Sequence, residues 1–455
     1  IFSELSPERT GIRFENNLTD APNFNIIEYL YYYNGAGVAV GDINGDGLDD
    51  IYFGANQVGD RLYINKGGLK FEDVTAAAGI LSDNSWTTGV AMDDINGDGY
   101  TDIYVCKVSK TDASRNLLYI NDGDGTFTES AAKYGLDFKG LSTHCSFFDY
   151  DRDGDLDMYL LNHNIHNVHS YGNTDNRMLR DSIAGDVLFQ NRLKEDGRFV
   201  DVTKQAGIYS SPLGYGLGVA TSDLNNDGWT DIYVGNDFHE NDYIYLNQGN
   251  GTFKESISSA MANTSQFSMG VDIADANNDG LMDIFTTDMM PWQPEVALVS
   301  GGEDSDQIKL VKKDFGFRLQ NARNHFNISK GNGTYSDVAY LTGTFFTDWS
   351  WSVLLQDFDH DMYADIFITN GIVKRPNDLD YINFLNELDN KDPNSVTDRT
   401  RKLIDKMPSQ PLSNVLFRHT GPLSYSKLEK SFVGKPSFST GAAYSDFDRD
   451  GDLDI

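Results

Sequence analysis

Aspartate recurs at fixed spacing in seven short loops of the chain. Each loop follows the pattern Asp-x-Asn/Asp-x-Asp-Gly-x-x-Asp or a close variant of it, as in DINGDGLDD at residues 42–50. Side chains at positions 1, 3 and 5 of such a loop turn toward one point and gather hard oxygen donors there. The seven loops occupy residues 42–50, 94–102, 149–157, 223–231, 275–283, 357–365 and 446–454.

Oxygen donors at this spacing indicate calcium sites, up to seven in the chain. Gly at position 6 permits a sharp bend, the carbonyl at position 7 adds a ligand, and Asp at position 9 closes the shell. No ligand position holds Cys or His, which disfavours zinc. The predicted ligands are Asp42, Asn44, Asp46, Leu48 and Asp50; Asp94, Asn96, Asp98, Tyr100 and Asp102; Asp149, Asp151, Asp153, Asp155 and Asp157; Asp223, Asn225, Asp227, Trp229 and Asp231; Asp275, Asn277, Asp279, Leu281 and Asp283; Asp357, Asp359, Asp361, Tyr363 and Asp365; and Asp446, Asp448, Asp450, Asp452 and Asp454.

The sixth loop departs from the pattern because Met362 replaces the glycine. A residue with a side chain must adopt a strained backbone conformation there, so we expect this site to bind calcium weakly or not at all.

An EF-hand is a different interpretation of the loops, but it needs Glu at position 12, where this chain has Phe53 or Val105. Loops that are merely solvated turns would leave their carboxylates crowded and uncompensated.

Strands must flank each acidic loop. Small residues precede most loops, as in GVAV at residues 37–40, and β-branched and aromatic residues follow, as in DIYFG at 50–54. A strand, a glycine turn and another strand follow six of the loops, as in RLYINKGGLKFEDVT at 61–75. Each repeat therefore predicts four strands A to D, which is typical of a propeller blade.

The predicted fold is all-β, a single seven-bladed β-propeller over residues 1–455. The blade cores start near residues 37, 89, 144, 216, 269, 351 and 440, and the last blade is incomplete at 455. We expect residues 11–16 to supply the outer strand of that last blade. Long insertions at residues 159–185, 287–323 and 370–413 all fall between strands B and C.

Composition narrows the classes of partner. The formal net charge of −33 opposes binding to nucleic acid or anionic lipid. Two cysteines, Cys106 and Cys145, are too few for a disulfide framework, and we interpret them as small buried hydrophobes. The sequence does not decide whether a disulfide joins them. No run of the sequence is apolar enough to span a membrane.

The loops, together with GVAVGDINGDGLDDIYFG and LYINKG, resemble the FG-GAP or VCBS repeats of integrin α propellers and of bacterial secreted proteins. The nearest resemblance is to the bacterial surface proteins with an ASPIC/UnbV domain, which are related to cartilage acidic protein. This resemblance implies a calcium-binding propeller on the cell surface or outside the cell, often as a lipoprotein of a Gram-negative outer membrane. It also implies that a signal or anchor segment precedes Ile1.

Strands alternate in direction, so the acidic loops mark one face and the B–C insertions mark the other. We favour a non-catalytic binding or scaffold protein that recognises a protein or glycan through the insertion face. One form of this interpretation makes the protein a subunit of an outer-membrane complex. The alternative is a carbohydrate-active enzyme, a hydrolase or lyase, on the same scaffold. We assign no catalytic residue.

Three features of the insertions are candidates for contact with a ligand. His163, His166 and His169 have the spacing of a transition-metal pair, or are hydrogen-bonding loop histidines. The Met289–Trp292 run is a possible apolar anchor, or it packs on its own propeller. Two amphipathic helices, predicted from about residues 378 and 397, either dock a partner or cover the channel mouth.

Overall fold

The computed structural model describes residues 2–81, 85–108, 114–165, 172–302, 304–387, 396–428 and 435–455. The described residues form a β-propeller of four-stranded antiparallel blades with little helix. Within each blade the strands pair in chain order, so every blade is an up-and-down meander. This is the fold expected when each repeat supplies strand, loop, strand and hairpin.

Six blades are present in the described residues, and their strands have the following bounds. Blade 1 holds β1 (Val38–Gly41), β2 (Asp50–Phe53), β3 (Arg61–Asn65) and β4 (Phe71–Asp73), and blade 2 holds β5 (Trp86–Asp93), β6 (Asp102–Val108), β7 (Leu117–Asn121) and β8 (Phe127–Glu129). Blade 3 holds β9 (Ser142–Phe148), β10 (Asp157–Asn162), β11 (Val187–Arg192) and β12 (Arg198–Asp201), and blade 4 holds β13 (Gly216–Ser222), β14 (Asp231–Asn236), β15 (Tyr243–Asn247) and β16 (Phe253–Glu255).

Blades 5 and 6 complete the set. Blade 5 holds β18 (Val271–Ala274), β19 (Asp283–Thr286), β21 (His325–Ser329) and β22 (Tyr335–Asp337), and blade 6 holds β23 (Ser350–Gln356), β24 (Asp365–Asn370), β25 (Val415–Gly421) and β26 (Ser424–Lys427). A short parallel pair, β17 (Thr264–Ser265) and β20 (Gln320–Asn321), lies outside the blades.

Short helices occupy the connections. They are α1 (Pro7–Thr10), α2 (Ala131–Tyr134), α3 (Thr203–Ala206), α4 (Ile257–Ala260), α5 (Pro294–Ala297), α6 (Asp306–Asp314), α7 (Ala339–Thr342), α8 (Leu379–Glu387) and α9 (Val396–Lys406), with 3₁₀ turns at Leu30–Tyr33 and Thr174–Met178. Within the described ranges, no helix has both the length and the apolar character needed to cross a membrane.

The prediction of seven blades is wrong in number, because the seventh repeat forms no four-stranded sheet. Residues 437–455 instead run between blade 6 and blade 1, with isolated bridges between Leu412 and Ser437 and between Ser445 and Asp454. Phe447 packs its ring 5.6 Å from that of Phe71, and Ser439 donates its backbone N–H to Asn370. An irregular segment in the place of strand A and an acidic loop therefore take the seventh place in the ring, with no described hairpin outside them.

The N-terminal segment does not form the predicted strand, since residues 11–16 have no regular secondary structure. The segment nevertheless packs where the last blade meets the first. Phe14 stacks on Phe53 of blade 1 at 5.2 Å, and Phe2 meets Phe358 of the sixth loop edge-on at 5.4 Å. Apolar contact, with no strand pairing, holds the segment on this side of the ring.

The strands A converge on a central channel, which explains their small residues. A Cβ at Gly89 would lie 2.4 Å from the Thr143 carbonyl oxygen of the next blade, and one at Gly270 would lie 2.2 Å from that of Trp351. The channel encloses a cavity of about 220 Å³, which is lined by strand A of every blade and by residues 440–442. Neighbouring blades thus pack backbone against backbone at the axis.

An asparagine near the end of strand C links each of blades 1 to 4 to its neighbour. Asn121 of blade 2 donates Nδ2–H to the carbonyl of Ile43, in the loop of blade 1, at 2.7 Å and to that of Thr101 at 3.1 Å. Its Oδ1 accepts the N–H of Gly123 at 3.0 Å. Asn65, Asn191 and Asn247 repeat the contact in blades 1, 3 and 4. The recurring Asn of the LYIN phrase is therefore an interblade bridge.

Replacing this bridge should destabilise the ring. We expect Asn121→Ala to lower the free energy of unfolding by about 2–4 kcal/mol, because it leaves buried carbonyls without a donor. Ser329→Ala in blade 5 is the matched control, since the Ser329 hydroxyl accepts a long bond of 3.4 Å from Gly331. Denaturant unfolding measures both variants, and an equal loss in the two would contradict the bridging role.

Candidate functional site

The acidic loops are shaped by hydrogen bonds from their own backbone to their side chains. In the first loop, Asp42 Oδ2 accepts the N–H of Gly47 at 2.7 Å, and Asn44 Oδ1 accepts that of Asp46 at 2.9 Å. Asp46 Oδ1 in turn accepts the N–H of Leu48 at 2.9 Å. Asp42 Oδ1 also accepts the N–H of Gly45 at 2.8 Å. These bonds curl the loop around its oxygen-bearing side chains.

The structure brings the carboxylates of positions 1, 3 and 5 together in the third, sixth and seventh loops. In each of these loops, one carboxylate oxygen from every member lies within 4.8 Å of the others. The three groups are Asp149, Asp151 and Asp153; Asp357, Asp359 and Asp361; and Asp446, Asp448 and Asp450. The other four loops have Asn at position 3, so an amide oxygen replaces one of the carboxylates.

Two carboxylate oxygens of the third loop show whether a cation would fit there. Asp149 Oδ1 and Asp151 Oδ1 are buried, and no hydrogen-bond donor reaches either atom. A buried anionic oxygen without a partner is costly, and a hard divalent cation would satisfy both oxygens together. The donor set, made only of oxygen, is that of Ca²⁺. The residues present therefore fit the predicted ion.

The aspartate at position 9 also accepts hydrogen bonds from the backbone, and this role was not predicted from the sequence. Asp50 is fully buried, and its carboxylate accepts the N–H of Ile43 at 3.1 Å and that of Asn65 at 2.7 Å. It ties its own loop to strand C. Burial raises the pKa of Asp50 and of Asp102 to about 7, although these backbone N–H groups act in the opposite direction. A bound cation would favour the charged form.

Position 2 of the loop is the signal that would have revealed this arrangement. The residue there is apolar in every loop and buried, as with Ile43, Ile95 and Phe447. Its side chain lies in the core, its N–H bonds to the position 9 carboxylate, and in blades 1 to 4 the strand C asparagine meets the position 2 carbonyl of the preceding loop. One apolar residue thus anchors each exposed loop to the propeller.

Positions 4 and 6 of the loops adopt left-handed backbone conformations. The left-handed conformation was predicted at position 6 but not at position 4, where Arg152 has φ 62° and His360 has φ 60°. Gly or Asn occupies position 4 in four of the loops, including Gly45 and Asn226, and this preference was the available signal.

The sixth loop is compromised twice. Met362 has φ 73°, which confirms the strained backbone predicted from the missing glycine. In addition, the Arg418 guanidinium forms an ion pair with Oδ2 of Asp359, at position 3 of the loop. The guanidinium thus supplies positive charge beside the carboxylates, where a metal ion would otherwise provide it. The contact with Arg418 is a second reason to expect weak calcium binding here.

The opposite face carries a layer that we call the cap. It consists of residues 18–34 and the described residues of the three B–C insertions, and its apolar core closes one end of the channel. The buried members of this core are Ile26, Tyr29, Tyr31, Tyr32, Tyr33, Trp86, Val108, Leu141, Tyr215, Met269, Trp349, Trp351, Ile372, Tyr381, Ile404 and Met407. The N-terminal tyrosines were not singled out by the sequence analysis, although YLYYYN was visible as an aromatic run.

Backbone and charged contacts join the insertions into one layer. Thr174 of the first insertion donates its N–H to the Phe315 carbonyl of the second at 2.9 Å, and Gly301 donates to Asn377 of the third at 2.7 Å. Arg375 Nη1 pairs with Asp348 Oδ1 at 2.9 Å, and both side chains are buried. A buried pair of this kind is costly to break, so the cap is firmly fixed to the blades.

The interpretation of the histidines as a transition-metal pair fails at His163, which is a hydrogen-bonding histidine instead. His163 is buried, and its Nε2 lies 2.9 Å from the Tyr29 hydroxyl while its Nδ1 lies 3.0 Å from that of Thr143. Both ring nitrogens are therefore occupied, and burial lowers the pKa of His163 to about 3. His166 and His169 lie outside the described residues.

The other candidates on the insertions are placed as follows. Met289 packs against the cap core, whereas Trp292 keeps 45% of its surface exposed and lies under Lys427 at 4.4 Å. The two predicted helices are present as α8 and α9, and Tyr381 and Ile404 bury their side chains in the cap core. These helices therefore pack on the cap core.

Two buried acids on this face, Asp288 and Asp237, already have hydrogen-bond donors. Burial raises the pKa of Asp288 to about 6, but its Oδ2 accepts the Ser265 hydroxyl at 2.5 Å and the N–H groups of Gln266 and Phe267. Burial also raises the pKa of Asp237 to about 8, and its Oδ2 accepts the Tyr31 hydroxyl at 3.1 Å. These carboxyl groups hold the cap in place.

Cys106 and Cys145 are both free and buried in neighbouring blades, as expected for small hydrophobes. Burial raises the pKa of the Cys145 thiol well above its usual range. The thiolate, which is the reactive form, is correspondingly disfavoured.

Comparison with known families identifies the repeats. The model of the FG-GAP-like repeat matches residues 42–105, 107–160 and 223–286. The chain contains FG-GAP-like repeats. The first and third matched stretches begin at an acidic loop, whereas the second begins in strand β6 and ends just after the acidic loop at 149–157.

Among curated proteins, the chain is similar to cartilage acidic protein 1 and to an integrin α chain. The identity to cartilage acidic protein 1 of Xenopus tropicalis is 26% over 203 residues, covering 45% of this chain and 29% of the relative. The human protein is 27% identical over 216 residues, and integrin alpha-3 of Mus musculus is 33% identical over 91 residues, which is 18% of this chain and 8% of the integrin. The chain spans about a third or less of the length of these relatives.

Solved structures with a related shape include two proteins at 15% identity. A lectin of Agrocybe aegerita, solved for its recognition of non-reducing terminal N-acetylglucosamine, has a TM-score of 0.44 over 88% of this chain and 80% of its own. The biofilm matrix protein Bap1 of V. cholerae has a TM-score of 0.33 over 66% of this chain and 38% of its own.

Calcium removal should act through specific loops. We expect excess EDTA to lower the melting temperature, since an ion at about 100 times its Kd contributes ~2.7 kcal/mol. Asp151→Asn in the third loop should reduce that loss, whereas Asp359→Asn in the sixth loop should leave it nearly unchanged. Calorimetric scans with calcium and with EDTA measure the difference, and an EDTA-insensitive wild type would refute structural calcium.

Strain at Met362 can be tested apart from metal binding. In EDTA, we expect Met362→Gly to raise the free energy of unfolding by up to about 1 kcal/mol, because glycine adopts the left-handed conformation without a clash. Met362→Ala is the control, since it removes the exposed side chain but keeps the Cβ. An equal gain in both variants would assign the effect to the side chain.

Proposed function

We propose that the chain is a calcium-stabilised, non-catalytic binding module that recognises a protein or a glycan through its cap. The acidic loops serve stability on one face, and recognition belongs to the other. Fold likeness alone would be poor support for this assignment, so it is argued from the surface of the cap.

One observation carries the proposal. Most of the large apolar side chains that the described residues expose lie on the cap, and the most exposed are Met178 and Leu298 at 80% and Leu310 at 62%. The acidic-loop face exposes few, among them Tyr100 and Met362. Apolar side chains gathered on one face are typical of an interaction surface.

The rigidity of the cap supports the same proposal. The insertions are joined to each other and to the blades by backbone hydrogen bonds and by the buried Arg375–Asp348 pair. A surface held in advance in one conformation loses little entropy when it binds. The cap therefore presents its exposed side chains in fixed positions, as a recognition surface requires.

Calcium would hold the loops through the oxygens of positions 1, 3, 5, 7 and 9, and its charge would offset part of the −33. We further propose an extracellular or cell-surface location, as for a bacterial lipoprotein of the outer membrane. Calcium is plentiful outside cells, which suits loops of this kind, and the similarity to an integrin α chain agrees with a surface role.

Site-specific photo-crosslinking tests which face binds. A photoreactive residue is placed at Leu298 or Met178 on the cap, and at Tyr100 or Met362 on the acidic-loop face as matched exposed controls. On intact cells of the source organism, we expect discrete adducts from the cap positions alone, identified by mass spectrometry. Adducts from the loop face, or none from the cap, would overturn the proposal.

A further inference from the structure

A groove in the cap joins apolar surface to positive charge. It lies between α6 and residues 317–320, with Ala262 at one end, and it encloses about 600 Å³. Its lining includes Lys309, Leu310, Lys313 and Leu319. We infer that this groove binds a peptide segment in which acidic side chains alternate with large apolar ones; this inference rests on the proposed binding role of the cap.

Helix α6 buries none of its side chains. Ile308 exposes 48% of its surface, Val311 51% and Leu310 62%. A helix of nine residues is marginal in water unless tertiary packing covers an apolar face. The helix here leaves that face open, so apolar surface remains for a partner to cover.

The charge of this region is opposite to that of the chain. The groove lining holds Lys309, Lys312, Lys313 and Arg318 against Asp304 and Asp306, an excess of two positive charges in a chain of net charge −33. Asp304 pairs with Lys312. Arg318 donates to carbonyls of Ser258 and Met261, so this guanidinium brings its charge to the groove while its hydrogen bonds go to neutral groups. The groove therefore attracts carboxylates.

Several contacts fix the groove floor before anything binds. Gln320 donates Nε2–H to the carbonyls of Phe238 at 3.0 Å and Glu240 at 2.8 Å, and Arg318 N–H donates to Asn241 Oδ1 at 3.1 Å. Phe317 is buried against the His239 ring at 5.2 Å. The groove is thus anchored to blade 4 and does not need to form around a ligand.

A peptide fits these features better than other occupants. A bilayer surface is broad and cannot fill a concave groove, and the net charge of −33 opposes approach to anionic lipid. A second copy of the chain brings the same net charge and is repelled as a whole. An extended segment presents carboxylates to Lys313 and Arg318 and apolar side chains to Leu310 and Leu319 together.

Selection from a random peptide display library tests the inference on the calcium-loaded chain. Peptides are selected on the wild type and counter-selected on Lys313→Glu. We expect enrichment of Asp or Glu beside Leu, Ile or Phe. Fluorescence anisotropy with a selected peptide should show about tenfold weaker binding to Lys313→Glu, weaker binding at high salt, and no change for Lys254→Glu, a matched exposed lysine outside the groove.

Each other result has a defined meaning. No groove-dependent peptide, or enrichment of basic peptides, overturns the inference, and cap-specific crosslinks obtained in parallel would leave the proposed function standing. Flotation with vesicles containing phosphatidylglycerol that Lys313→Glu abolishes would assign the groove to lipid. Self-association in sedimentation runs that the same substitution abolishes would assign it to a second copy. Circular dichroism and melting of each variant verify that it folds.

Discussion

The buried carboxylate at position 9 of the first six loops is the interaction on which the propeller depends. Asp157 shows it well: fully buried, it accepts the N–H of Tyr150 at 3.1 Å and that of Asn191 at 2.7 Å. The first bond closes the A–B loop, and the second joins that loop to strand C. Loss of either partner would leave a buried polar group unsatisfied, which costs far more than the bond itself contributes. Loop shape and blade assembly therefore share one side chain.

The fold was largely predictable because its signal is local and repeated. Small residues such as Gly89 mark strand A, where blades approach closely, and the acidic pattern fixes the turn that follows. The number of sheets was not predictable in the same way. A motif such as residues 446–454 reports a loop, whereas a blade also needs a hairpin outside that loop. The motif count therefore exceeded the sheet count.

The cap was harder to predict because its contacts are between segments far apart in the chain. Tyr29 meets His163, and Tyr31 meets Asp237, across separations that no local pattern encodes. The histidine spacing suggested a metal pair, but burial of His163 between two hydroxyl groups gives it a structural role. In contrast, α8 and α9 were predictable, since amphipathic periodicity is local and their apolar faces require a core.

The interblade asparagines give the ring a direction. Asn65 of blade 1 bonds to Phe447 of the seventh loop, Asn121 of blade 2 to the loop of blade 1, and Asn247 of blade 4 to the loop of blade 3. Each of these loops is thus bonded to the blade that follows it and not, in these contacts, to the one before. Opening of one such loop also removes a hydrogen bond from the next blade, so the stability of the loop is coupled to that of its neighbour.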